Sequence, residues 1–107
     1  MLDAGENVNT QDNNGNTPLH EAVGNNNLEM VQALLNAGAN INTQDNDGNT
    51  PLHKAVGNNN LEMVQALLNT NVNLYVKNND QQTSFAKAVQ NNTSHDIKMA
   101  IGNALII

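Results

Sequence analysis

Three histidines are the side chains of this chain best suited to proton transfer or metal ligation near neutral pH. His20 and His53 stand 33 positions apart in nearly the same local sequence, Thr-Pro-Leu-His-x-Ala-Val-Gly, and His95 follows near the end. Equivalent residues on neighbouring packed helices lie ~8–10 Å apart, whereas each ligand of a zinc ion approaches it to about 2 Å. One ion cannot bridge that gap, so each ring is expected to hydrogen-bond its own turn and the next one. His95 is expected in solvent near a helix start. Asp45-Asn46-Asp47-Gly48-Asn49 resembles part of a calcium loop. With Gly48 at the required glycine, however, Thr43 takes the first ligand position and Lys54 the place of the bidentate glutamate. In the sister stretch Glu21 supplies the last ligand, but Thr10 still occupies the first, and both stretches read as turns. Asn91-Asn92-Thr93 and Asn92-Thr93-Ser94 have the form of glycosylation acceptors and are expected to be inert, because no signal peptide is visible. Ser84 and Ser94 lack the neighbours of an activated nucleophile, and neither a nucleotide-binding glycine motif nor a convergent carboxylate pair appears. No enzyme activity, metal or cofactor is expected.

The composition narrows the classes of partner. The 107 residues carry a formal charge of -6, with four Lys+Arg, all lysine, and 2% aromatics. Without arginine or an aromatic platform, and with that negative balance, the chain has no obvious means to track phosphates, read base edges or stack on bases. Nucleic acid is therefore not an expected partner. No apolar run approaches the ~20 residues of a membrane helix, so membrane insertion is not expected either. The absence of a visible export signal favours an intracellular, cytoplasmic location. There is no cysteine, and Tyr75 and Phe85 are the only aromatics, so the core must be aliphatic and unaided by disulfides. The 24 asparagines could suggest a disordered polar segment. Aliphatic residues recurring between them at regular offsets indicate a folded core instead.

The elements that position these side chains follow from a repeat. Thr10–Asn42 aligns with Thr43–Tyr75, and only seven of the 33 pairs differ: Asn14/Asp47, Glu21/Lys54, Ala37/Thr70, Gly38/Asn71, Ala39/Val72, Ile41/Leu74 and Asn42/Tyr75. Such a period signals a stacked array. Within each unit Asn14-Gly15, or Asp47-Gly48, turns the backbone sharply into a hairpin-like finger. Thr17-Pro18 then offers a capping hydroxyl and a proline whose missing N–H costs nothing at a first helical turn. A short helix from about Pro18 to Gly24 is expected. Asn25-Asn26-Asn27 breaks it, because asparagine tolerates a left-handed turn and caps the next helix. That second helix, Leu28 to about Asn36, gathers Leu28, Val31, Leu34 and Leu35 into one apolar stripe, and Gly38 ends it.

Asp12-x-x-Gly15-x-Thr17-Pro18-Leu19-His20-x-Ala22, followed by Val31-x-x-Leu34-Leu35-x-x-Gly38-Ala39-x-Ile41-Asn42, resembles the ankyrin repeat. Asp45–Leu68 repeats most of the pattern. Asn26 and Asn59 stand where that family usually has glycine, and Val23 and Val56 where it usually has alanine. The resemblance implies an all-α solenoid of helix-turn-helix units bearing β-hairpin-like fingers. Residues 1–9 align with the end of a unit, residues 10–42 and 43–75 are full repeats, and residues 76–107 form a divergent terminal repeat. There Asn78, Gln81, Ser84 and Ala86 replace the expected Asp, Gly, Pro and His. Its last helix is expected to start at Thr93 or Ser94, with Ile97, Ala100, Ile101, Ala104 and Leu105 on one side. The partial opening repeat suggests a piece of a longer array.

The resemblance also implies a function, recognition of a partner protein or scaffolding, through finger tips and the concave side of the first helices. By position the contacts fall on Gln11, Asn13, Asn14, Asn16, Glu21, Gly24 and Asn25, and on Gln44, Asn46, Asp47, Asn49, Lys54, Gly57 and Asn58. Lys77, Asn79, Asp80 and Gln82 follow in the last unit. This face lacks the Tyr, Trp and Arg anchors of tight interfaces and fits a modest or multivalent binder. Two alternatives stand beside it: a structural spacer, which the near identity of the two copies favours, and end-to-end self-association. The latter would use an apolar face of Leu19, Val23, Leu28, Val31 and Leu35, expected to be partly uncovered at the amino-terminal end.

Overall fold

The computed structural model describes residues 8–106. Of the partial repeat expected at residues 1–9, only Val8 and Asn9 fall within that range. Three helix pairs succeed one another: α1 (Pro18–Gly24) with α2 (Leu28–Asn36), α3 (Pro51–Gly57) with α4 (Leu61–Leu68), and α5 (Ser84–Gln90) with α6 (His95–Ile106). The first helices α1, α3 and α5 lie side by side; α2 packs on α1, α4 on α3 and α6, and α6 on α5. The result is an elongated solenoid, 39 × 25 × 24 Å.

Local chemistry sets the helix limits. Thr17 and Thr50 cap α1 and α3, each accepting from the histidine N–H three residues on, with proline in the first turn. Asn27 and Asn60 cap the second helices by accepting from Met30 N and Met63 N at 3.1 Å. Between the helices Asn26, Asn59 and Asn92 adopt φ of 57°, 54° and 51°, the left-handed conformation that asparagine tolerates best among residues with a Cβ. Gly38 turns the chain out of α2 at φ 90°. Asn71 replaces it in the second pair, where α4 stops at Leu68 and the Thr70 hydroxyl donates to the Leu67 carbonyl at 2.7 Å. Helix α6 starts at His95, just after Ser94, whose Oγ accepts from Ile97 N.

Two expectations need correction. The fingers are loops: among the described residues there is no strand. Asp12 explains why, because its Oδ1 accepts from both Asn14 N and Asn16 N at 2.9 Å, taking the donors a strand ladder would use. Asp45 does the same for Asp47 N and Asn49 N. Of the face expected to be partly uncovered at the amino-terminal end, Leu19, Val23 and Val31 are moreover fully buried. Leu28 and Leu35 alone of that set are half-buried. The reason is direction: the α1 part of this face looks toward the following pair, where α3 covers it. The uncovered counterpart lies at the other end, where Val89 is 51% exposed at the position at which Val23 and Val56 are 0% exposed.

Candidate functional site

The histidines are built into the stack. His20 Nδ1 accepts from Thr17 N at 3.1 Å, so it carries no proton; Nε2 does, and donates to the Asn49 carbonyl at 2.9 Å. His53 repeats this with Thr50 N and the Gln82 carbonyl. Burial pushes both imidazoles below their usual pKa, against the pull of the carbonyl each ring bonds. They therefore act as neutral rivets between consecutive units. His95 is exposed at the start of α6. Asp45, the best placed acid of the calcium-like run, is buried with Oδ1 in its own turn and Oδ2 3.5 Å from Lys54 Nζ. Among the described residues no group of three or more His, Cys, Asp or Glu is placed to hold a metal ion.

The residues expected at a partner surface do not share one environment. Several are spent on their neighbours in the stack. Gln11 Nε2 donates to the Gln44 carbonyl, and Gln44 Nε2 to that of Lys77. Asn46 Nδ2 reaches back to the Asn13 carbonyl and Asn79 Nδ2 to that of Asn46, each at 2.9 Å. Asn58 Nδ2 binds the carbonyls of Val23 and Gly24 at the end of α1. Asn49 Oδ1 accepts from Asn78 Nδ2. These amides form a ladder that joins one loop to the next.

Another set converges on one place. Asn16, Glu21, Gly24, Asn25 and Lys54, with His20 at the base, line an open depression of about 420 Å³ between α1 and α3. Glu21 and Asn25 are exposed, Lys54 is half-buried, and Asn16 Oδ1 is buried without a hydrogen-bond partner. Asn13, Asn14 and Asp47 are exposed on the first two loops and Lys77 on the third, away from this depression. Asp80 is exposed beside Lys77, and Gln82 is half-buried, its amide donating to Gln90 Oε1.

Lys87 was missed by the positional argument. Counting the period once more from Glu21 and Lys54 finds it, but the degeneracy of the last unit hides the register. It is half-buried, and a Cβ placed on Gly57 would lie 3.7 Å from its Nζ, so the side chain crosses toward the end of α3. Burial, and then the charge of Lys54, lower its pKa; Asp45, Asp80 and Asp47 oppose this more weakly.

Curated proteins give no match to the chain. The family model described as ankyrin repeats (3 copies) matches over residues 1–78 and again over 37–101. Ankyrin repeats are in general protein–protein interaction modules and typically non-enzymatic, and no described helix is long and apolar enough to cross a membrane. With its riveted Thr-Pro-Leu-His helices, stacked pairs and projecting loops, the chain belongs to the ankyrin-repeat family.

Proposed function

We propose that this chain binds a partner protein through the loop tips and the concave side of α1, α3 and α5, without catalysing a reaction. The observation that supports this most is the depression between α1 and α3. There the exposed Glu21 carboxylate and Asn25 amide stand beside Lys54, which Asp45 pairs, unlike the amides consumed by the stack. A polar rim of this kind suits peptide backbone and polar loops at modest affinity. Comparing proteins retained by the immobilised chain with those retained by a Glu21→Trp, Asn25→Trp variant of equal thermal stability tests the reading. Selective loss of retained proteins is expected. Equal retention would leave only the spacer role.

A second reading, end-to-end assembly, draws support from the exposure of Val89 and the half-burial of Phe85, which replaces the buried Leu19 and Leu52 of earlier units. It places the contact at the carboxy-terminal end of the stack. Light scattering over a wide concentration range tests it; a constant monomer mass would dismiss it.

A further inference from the structure

One position of the repeat carries a charge that changes sign along the concave face, and its companion position decides whether that charge is neutralised. In the first unit Glu21 stands there, exposed, and the companion Asp12 is also an acid. In the second, Lys54 pairs with the buried Asp45 carboxylate at 3.5 Å. In the third, Lys87 has no acid within ion-pair distance, because Asn78 stands at the position of Asp45. Asn78 Oδ1 still accepts from Asp80 N and Gln82 N to hold the loop. Its second polar atom is an amide that donates to Asn49 Oδ1 and Gln82 Oε1. Neither the Glu21 carboxylate nor the Lys87 ammonium has an ion-pair partner among the described residues. The face thus runs from unpaired acid, through a closed ion pair, to an unpaired and half-buried base.

Resting on the partner-binding reading above, we infer that the concave face recognises an extended polypeptide segment bearing a basic residue against Glu21 and an acidic residue against Lys87. Glu21 and Lys87 sit on helices two spacings apart, ~16–20 Å at ~8–10 Å per packed helix. An extended chain rises ~3.3 Å per residue and the Lys87 side chain leans back toward α3, so the two charges of the ligand stand at most about five or six residues apart. Between them the segment crosses Lys54, which Asp45 has already neutralised, and Gly24, where a Cβ would meet nothing within 4 Å. Half-burial of Lys87 makes its unanswered charge the stronger determinant, since water screens it less than it screens Glu21.

The test selects random peptides displayed on phage against three intact chains: wild type, Glu21→Lys and Lys87→Glu. Both variants install residues that already occupy this position in a sister unit, and thermal unfolding confirms that they fold. Wild type is expected to enrich peptides with one basic and one acidic residue at that separation. Glu21→Lys should instead enrich two acids, and Lys87→Glu two bases. A synthetic peptide from the wild-type selection should bind each variant about tenfold more weakly, in a salt-sensitive manner. Peptides enriched on all three chains without a charge pattern, or with the same one, would overturn the inference and leave partner binding standing. No enrichment on wild type would overturn both, and so would peptides that displace nothing but a second copy of the chain.

Discussion

His20 and His53 are where a single proton matters. Each Nδ1 must stay bare to accept from the threonine N–H that precedes its helix, and each Nε2 must donate across to the next unit. Folding lowers both pKa values below 6.5, so between 6.5 and the lowered value the unfolded chain binds more protons than the folded one. The stability owed to the neutral rings is complete above 6.5 and is lost as pH falls through the folded value. Urea unfolding at neutral pH and at about pH 5 should show this drop. A His20→Gln, His53→Gln variant should be less stable at neutral pH, by about 2–4 kcal/mol, with a shallower decline on acidification. A decline as steep as wild type would place the titration elsewhere. Glycine is decisive at two loop positions. Gly48 has φ 80°, and a Cβ there would lie 2.7 Å from Asn79 N; Gly15 meets Asn46 N in the same way. Gln81, at the equivalent place, holds φ 63° and is exposed. Gly48→Ala should destabilise by about 2 kcal/mol or more, and Gln81→Gly should stabilise by about 1 kcal/mol, both read from chemical denaturation.

At the scale of the elements, the short first helices cannot stand alone. Seven-residue α1, α3 and α5 are below the length at which an isolated helix persists, and packing and caps hold them. The loops are joined in a similar way, by side-chain amides that reach into the adjacent unit. This makes the effect of an identical substitution depend on its unit. Asn46→Ala removes the bond to the Asn13 carbonyl and Asn79→Ala the bond to Asn46, each costing about 0.5–1 kcal/mol at these exposed sites. Asn13→Ala, for which no such bond to an earlier unit is present among the described residues, should be close to neutral. Denaturation midpoints of the three variants decide the matter, and three equal values would show that the ladder contributes nothing measurable.

The whole molecule is a one-dimensional stack whose units are stabilised by the neighbours that cover them. Its central pair has both faces covered, and Leu52, Ala55, Val56, Met63, Val64 and Leu67 are all essentially buried. In the last pair Val89 is 51% exposed, Met99 47% and Ile106 82%. Amide hydrogen exchange should therefore be fastest in α5 and α6 and slowest in α3. Val56→Lys should cost more than about 3 kcal/mol, whereas Val89→Lys should cost less than about 1 kcal/mol. If end-to-end assembly operates, the latter substitution should also abolish it. Uniform exchange along the chain would contradict the additive picture of the stack.

Much of the architecture was open to reading from residues alone, because its determinants are local and recur. Thr17-Pro18 marks a helix start, Asn26 a left-handed turn, and a 33-residue period the fact of stacking, each through chemistry confined to a few neighbouring positions. The fingers were harder, since Asp12 can either flank a hairpin or close a turn on itself, and the chain pattern does not rank the two. What only the tertiary structure decided is which way a unit faces and which side chains remain free once it is covered. Leu19 and Val23 look toward the next pair, so the bare flank belongs to Phe85 and Val89. Gln44 and Asn46, polar enough to suit a partner, are instead bound to adjacent loops. Lys87 stands alone because a residue nine positions earlier is an amide rather than an acid. Periodicity specifies that neighbours meet; only the packed geometry apportions the donors, acceptors and charges between the stack and the world outside it.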